Sequence, residues 1–314
     1  MKNISSQPFV LGIDVGATNI KFGLVDSRGK IVATSNLATA SFLSHKRTLI
    51  QGLLQGCLAL LKKHHLEEKD ILGVGMGLPG LVDGIRGIVR FLPNIPGWKD
   101  VPLKEIMERR LRIPTFLDND VNLITLAEWK FGAGKGIRNM VCLTLGTGVG
   151  SGLILDNRLY RGEGFAAGEL GHVPLNEKGP VCNCGGRACL ERYVGNRYLQ
   201  KEAARIFKNK NLSLEDIDRL ASQGDQRAKR FWAEAARHIG CGLVGVVNLL
   251  NPRRIVIGGG ISNAYRHLFP AIRETLKKRA MRTPAQMVKI VRAKLGPRAG
   301  VLGAYVLVNH AHCG

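Results

Sequence analysis

Residues 139–156 read NMVCLTLGTGVGSGLILD, and residues 9–26 read FVLGIDVGATNIKFGLVD. Each is an apolar run, a turn of small residues and a second apolar run, a pattern that predicts two strands joined by a tight turn. The turns are Asp14-Val15-Gly16-Ala17-Thr18-Asn19 and Gly146-Thr147-Gly148-Val149-Gly150. Taken singly, either is an ordinary glycine-rich hairpin. The same design twice, about 130 residues apart, predicts two related halves facing each other across a cleft, with a nucleotide held between the turns. Small turn residues leave backbone N–H groups open to phosphate. Asp14, at a strand end, suits a hydrated Mg²⁺, which keeps its waters and takes few carboxylates.

Outward from these hairpins the chain alternates strands and helices, which implies α/β layers. Residues 44–65 carry Leu49, Leu53, Leu54, Leu58 and Leu61 at helical spacing. ILGVGMGLPG (71–80) is a glycine-rich strand that permits close backbone approach. Asn94 lies in Pro-Asn-Ile-Pro-Gly-Trp (93–98), which excludes regular structure; it suits a ligand wall or a rigid turn before the helix VPLKEIMERRLR (101–112). IPTFLDND (113–120) is a strand. Residues 195–250 are helical, and their last part, apolar on nearly every side, predicts a buried helix. RRIVIGGGIS (253–262) is a buried strand entering Gly258, Gly259 and Gly260, either a packing turn or a backbone contact to nucleotide. A helix (265–280), a strand (287–293) and a final apolar helix (300–311) follow.

Asp118-Asn119-Asp120-Val121-Asn122 falls where a strand ends and a helix begins. Helix capping needs one such residue. The surplus points to a site in which Asp120 accepts a proton as general base for phosphoryl transfer.

GELGHVPLNEKGPVCNCGGRACLERY (168–193) holds three of the seven cysteines, Cys182, Cys184 and Cys189, with His172 before them and Glu169 and Glu191 on either side. One imidazole and three thiolates satisfy a closed tetrahedral zinc site, and thiolates select borderline or soft metals over Mg²⁺ or Ca²⁺. A reduced cluster or a Cys182–Cys189 disulfide is the plainer alternative. The spacing is not that of a zinc finger. A metal knot here would hold Glu169 and Glu191 rigidly, as acceptors for a polyol.

A length of 314 residues favours two domains. No apolar run reaches the roughly 18 residues of a membrane span, and the N-terminus lacks the apolar core of a secretory signal. Scattered cysteines, of which Cys57, Cys142 and Cys241 stand in apolar surroundings, suit a reducing cytosol. The net charge of +22 would attract polyanions. It is dispersed in short clusters such as Lys277-Lys278-Arg279, with no aromatic-interleaved stripe, so a basic surface is the plainer reading. No P-loop and no H-R-D kinase loop is present.

The ordered motifs LGIDVGATNIKFGLVD, MGLPGLVD, PNIPGW, DNDVN, LGTGVGSG, GELGHVPL, CNCGGRACLE and VIGGGI resemble the ROK family of sugar kinases, most of all its bacterial glucokinases, from Phe9 to about Val308. The resemblance implies an actin-like fold of two α/β domains with the active site in the cleft. Their expected extents are 1–118 plus 297–314 for the smaller and 119–296 for the larger, which carries the zinc loop. It implies ATP as donor, Mg²⁺ as helper, and closure of the domains on glucose. Asp120 then activates the sugar 6-hydroxyl. Gly80, Asn94, Asn119, Glu169, His172 and Glu191 match the sugar side, and His172, Cys182, Cys184 and Cys189 the zinc ligands. Asp14, Gly16, Thr18, Lys21, Gly146, Thr147 and Gly148 match the phosphate side, Gly258 and Gly259 the adenosine side. It also implies a homodimer or homotetramer in the cytoplasm.

Two departures stand out. Ala188 replaces a glycine in the cysteine block, where a positive φ would cost roughly 1 kcal/mol, and the helix after Asp120 is bulkier than the family's alanine-rich form. Rival functions are kinases for N-acetylmannosamine, N-acetylglucosamine, fructose or allose, a polyphosphate-using glucokinase, and a sugar-responsive regulator. The regulators carry a helix-turn-helix domain ahead of the kinase-like part, and the few residues before Phe9 leave no room for one in this sequence, so nucleic acid is not the expected partner.

Overall fold

The structure is a computed structural model, and it describes residues 8–42, 45–92, 95 and 97–313. β1 (Phe9–Val15) and β2 (Asn19–Val25) form the first hairpin, with Ile13 opposite Phe22 and Val15 opposite Ile20. β1 is buried at every residue after Phe9, as a strand covered on both faces must be. β3 (Ile31–Ala38) lies at the edge and alternates half-buried with exposed residues. α1 (Lys46–Lys63) buries Leu49, Leu53, Cys57 and Leu60. Leu58, expected on that face, is exposed, because the buried stripe follows the 3.6-residue period through Cys57 and Leu61.

β4 (Ile71–Leu78) runs parallel to β1. β5 (Leu81–Asp83), β6 (Ile88–Phe91) and β7 (Lys99–Val101) make a separate antiparallel sheet that the sequence reading did not foresee. Its strands are too short to show a period. Trp98 packs into the core beside it, which removes that side chain from any ligand wall. α2 (Leu103–Leu111), β8 (Thr115–Asn119) and α3 (Asp120–Lys130) follow, and the main sheet has the order β3-β2-β1-β4-β8.

The second half repeats that plan. β9 (Met140–Leu145) and β10 (Val149–Leu155) form the second hairpin, and β11 (Arg158–Tyr160) the edge. α4 (Glu191–Val194), α5 (Asn196–Phe207), α6 (Leu214–Ser222) and α7 (Gln226–Leu250) follow the cysteine block. β12 (Arg254–Gly258) and, after α8 (Tyr265–Arg279) and α9 (Arg282–Met287), β13 (Lys289–Arg292) complete a sheet of order β11-β10-β9-β12-β13. Both sheets run antiparallel, antiparallel, parallel, parallel across that order. The end of α7 is not buried all round: Leu243 and Val247 face the core, while Leu249 is 85% exposed. Cys241 is half-buried and accepts a bond from Arg279 Nη1 at 2.8 Å, so its surroundings are polar on one side.

The last helix, α10 (Ala299–Cys313), returns to the first sheet. A Cβ at Gly75 would lie 2.8 Å from the Ala304 carbonyl carbon, so this glycine of β4 admits the helix backbone onto the sheet. Two units result: Met1–Phe131, Arg161–Ala167 and Pro297–Gly314 in one, Gly132–Tyr160 and Gly168–Gly296 in the other. The boundary therefore falls after Phe131, not after Asp118 as expected, and residues 161–167 belong to the first unit. α3 stays there because Leu123 backbone sits against Gly303 of α10. Arg161 returns because its Nε and Nη2 bind Asp118 Oδ2 at 2.7 and 2.6 Å.

Candidate active site

The candidate residues fall in both units. In the first they collect at the carboxyl ends of the parallel strands β1, β4 and β8, where open α/β sheets place ligands. Asp14 of β1 is paired with Gly77 of β4, and Leu78 with Asn119 of β8. The polar corner divides its labour. Asp118 is buried, and its Oδ1 accepts from Asn119 N at 2.8 Å and Asn122 Nδ2 at 2.7 Å while Oδ2 takes Arg161. Asn119 caps α3: its Oδ1 accepts from Val121 N at 2.9 Å and Asn122 N at 3.3 Å, and its Nδ2 donates to Gly80 O at 3.0 Å. Asp120, half-buried at the first helical position, accepts from Val121 N at 2.9 Å. Asp118 and Asn119 are thus held by structural duties, and Asp120 lies beside them at the start of α3. Arg161 was missed in the sequence because nothing local marks it; only the need of a buried Asp118 for a cation points to it.

The turn after β1 is closed by Gly16 N donating to Asn19 O at 3.0 Å, so that N–H is not open to phosphate as expected. Thr39 ties the turn down, with its hydroxyl on Gly16 O at 2.8 Å and its N–H on Thr18 O at 2.9 Å. Ala17 and Thr18 are exposed. Burial raises the pKa of Asp14 above its ordinary value, and Lys21, whose Nζ is 3.5 Å away, works against that rise. Asn94 lies outside the described residues.

In the second unit the His172, Cys182, Cys184 and Cys189 ligand atoms all lie within 4.8 Å of one another. Cys184 and Cys189 sulfurs are 3.6 Å apart, and Cys182 Sγ is 3.8 Å from His172 Nδ1. A zinc tetrahedron with Zn–S bonds of ~2.3 Å has S–S edges of ~3.8 Å, so the donor set fits the ion in kind and in spacing. The loop is drawn tight by Cys182 N on Gly186 O at 2.7 Å and Gly185 N on Cys182 O at 3.0 Å. Ala188 has φ 55°, the left-handed conformation foreseen for that position. Burial pushes the Cys189 thiol up to about 12, whereas a hydrogen bond from Gly186 backbone lowers the Cys184 thiol. Because Nδ1 of His172 faces the sulfurs, Nε2 is turned from them and suits a second ligand.

Glu191 opens α4, and its Oε2 accepts from Val149 N at 2.9 Å. A Cβ at Gly148 would stand 2.7 Å from the same oxygen, so the glycine is required for that contact. Gly146 N closes the turn on Gly148 O at 2.9 Å, and Thr147 is exposed. Gly259, φ 83°, stacks on the Leu145 backbone, 2.7 Å from its nitrogen to a notional Cβ. Gly258 pairs with Thr144, so the 258–260 and 146–148 turns adjoin at the carboxyl ends of the neighbouring strands β9 and β12. Glu169, which starts the short turn before His172, is exposed.

A profile of the ROK family matches residues 10–311. The chain is 34% identical to the glucokinase of Streptomyces coelicolor, over 94% of this chain and 95% of that one. Its structure is similar to a ROK family glucokinase from Streptomyces griseus in complex with glucose and AMPPNP, with a TM-score of 0.79, 31% identity, and 98% and 100% of the two chains covered. It is also similar to a ROK family transcriptional regulator, a homologue of the E. coli MLC protein, with a TM-score of 0.89, 26% identity, and 97% and 78% covered.

Proposed function

The chain belongs to the ROK family, and from that premise we propose that it transfers the γ-phosphoryl group of Mg-ATP to the 6-hydroxyl of glucose. The fold is the family's, two α/β domains of the actin-like type. The observation that carries the proposal is the division of labour at 118–120. Asp118 and Asn119 have structural partners that explain them. Asp120, which accepts from Val121 N at 2.9 Å, stands beside them at the helix start, where a carboxylate can serve as a base. Phosphoryl transfer asks the protein mainly for positioning and charge neutralisation.

In this reading Asp120 takes the proton of the 6-hydroxyl. Gly80, Asn94, Asn119, Glu169, His172 and Glu191 hold the other sugar hydroxyls. Asp14, Thr18, Lys21, Thr147 and Gly148 attend the phosphates, Gly16 and Gly146 close the two turns that present them, Mg²⁺ is hydrated near Asp14, and Gly258 and Gly259 attend the adenosine. Zinc on His172, Cys182, Cys184 and Cys189 would supply a rigid brace and fix the imidazole so that Nε2 meets a sugar hydroxyl. Thiol ligands call for a reducing compartment, and we place the protein in the cytoplasm, as a homodimer or homotetramer. No described helix is long and apolar enough to cross a membrane.

The test is ADP release from Mg-ATP against glucose, mannose, fructose, allose, N-acetylglucosamine and N-acetylmannosamine. Preference for glucose supports the proposal, and turnover only with an N-acetyl sugar moves the substrate. The second reading, a sugar-responsive regulator, is favoured by the similarity to the transcriptional regulator. Glucose binding without turnover by metal-loaded protein with either ATP or polyphosphate would select it.

A further inference from the structure

A cavity of about 840 Å³ opens among α4, α5 and α7 in the second unit. None of the residues assigned above to sugar, nucleotide or zinc lines it. Its charge is one-sided: Arg192, Lys201, Arg205, Arg227 and Arg230 face Glu202 and Glu234. Arg205 is held by Glu202 at 3.0 and 2.6 Å, and Arg227 by Asp225 at 3.3 Å. Lys201 and Arg230 are exposed and make no ion pair among the described residues. Arg192 lies with its guanidinium 3.9 Å from the centre of the Tyr198 ring, and its Nε is buried with no hydrogen-bond partner among the described residues. The remaining wall is flat and apolar: Tyr193 stacks on His238 at 4.5 Å, beside Leu199, Ile206 and Phe231.

We propose that this cavity is a second ligand site, for a phosphomonoester with a planar ring body, the class of a nucleoside monophosphate. The unpaired Lys201 and Arg230, with the Arg192 guanidinium in the wall beside them, suit a doubly charged phosphate. The aromatic and Arg–Tyr surfaces suit the ring, since a π-face accepts stacking by either a ring or a guanidinium. The size lies within the usual range for small-molecule sites.

The site is placed to report its occupancy. Arg192 and Tyr193 line the cavity, and the residue before them, Glu191, holds the 146–150 turn through Val149. Tyr193 also receives a hydrogen bond at its hydroxyl from Asn176 Nδ2, 2.9 Å away, in the segment between His172 and Cys182. A ligand drawn against α4 therefore acts on one four-residue helix that serves both places. Its effect on turnover rests on the proposed role of Glu191; its binding does not.

The experiment is equilibrium dialysis of labelled AMP against the full chain preloaded with saturating Mg-AMPPNP. One further equivalent of AMP is expected. Lys201→Glu with Arg230→Glu, both at exposed positions, should weaken that equivalent at least tenfold and leave the melting temperature and AMPPNP binding unchanged. Lys62→Glu with Lys63→Glu, equal in charge change but in the other unit, should leave AMP binding as it was. Absence of the further equivalent overturns the proposal, and so does an equal loss in both double variants, which would mean general attraction to a basic protein. Failure of AMPPNP to bind would count against the kinase reading alone, since AMP retention at the cavity is scored separately.

Discussion

Glu191 Oε2 and the backbone N–H of Val149 are joined by a 2.9 Å hydrogen bond across 42 residues of sequence. The bond fixes a carboxylate proposed for the sugar against the turn proposed for the phosphates. Glu191→Gln keeps an acceptor for Val149 and removes only the charge offered to a sugar hydroxyl. A charged hydrogen bond is worth roughly 1.5–3 kcal/mol, so the KM for glucose should rise about tenfold or more while the melting temperature holds. Glu191→Ala also strands the Val149 N–H and should cost about 1–3 kcal/mol of stability besides. Steady-state kinetics with thermal melts separate the two, and an unchanged KM in both variants would remove Glu191 from the sugar site.

Asp120→Asn tests the base. General-base catalysis contributes about 10²–10⁴-fold, and turnover should fall by that amount. The helix start is capped by Asn119, so the fold and glucose affinity should stay within a few-fold of the parent. Asn119→Ala, by contrast, removes an N-cap worth about 1 kcal/mol and the bond to Gly80 O, and should lower stability as well as turnover. Near-normal turnover by Asp120→Asn would refute the assignment.

Much of the fold was legible because buried hairpin strands read as short, mostly apolar runs ending at a turn of small residues. FVLGIDVG and NMVCLTL are such runs, and both became strands buried in like-ordered sheets. The cysteine block was legible for a different reason: ligands close in sequence need only a tight loop to meet, and their ligand atoms do lie together. What sequence could not show are contacts set by tertiary return. The unit boundary at Phe131 depends on α10 reaching α3 from the far end of the chain, and Arg161 depends on Asp118 lying 43 residues before it. At Gly16, the small residues of the turn suggested open donors; the closed turn follows from Asn19 O lying 3.0 Å from Gly16 N.

Zinc makes a proton-counting prediction. Free thiols titrate near 8.5, burial raises Cys189 and a backbone bond lowers Cys184. Loading metal-free protein at pH 7 should release between about two and three protons per zinc, because each bound sulfur must be a thiolate. Cys184→Ser should lose stoichiometric zinc by mass spectrometry and lower the melting temperature. Zinc retained at one equivalent by that variant would contradict the ligand set.

Asp14 makes the pH prediction. Its carboxyl has a raised pKa in the fold because burial disfavours its charged form, with Lys21 offsetting part of the rise. The folded protein therefore binds a proton more tightly than the unfolded chain there. The contribution is fully present below the unfolded value of 3.8 and is lost as pH rises through the folded pKa. At neutral pH, holding Asp14 in its charged form is thus a cost to folding, kept, on the proposed reading, for its Mg²⁺. Asp14→Asn should melt a few degrees higher than the parent at pH 7, and the gain should shrink as pH falls and vanish below about 4, near the unfolded carboxyl's pKa. Turnover with Mg-ATP should fall in the same variant. Thermal melts from pH 4 to 8 read the first effect, and a pH-independent difference would show that packing against Gly300, which touches the Asp14 carboxylate side, sets it instead.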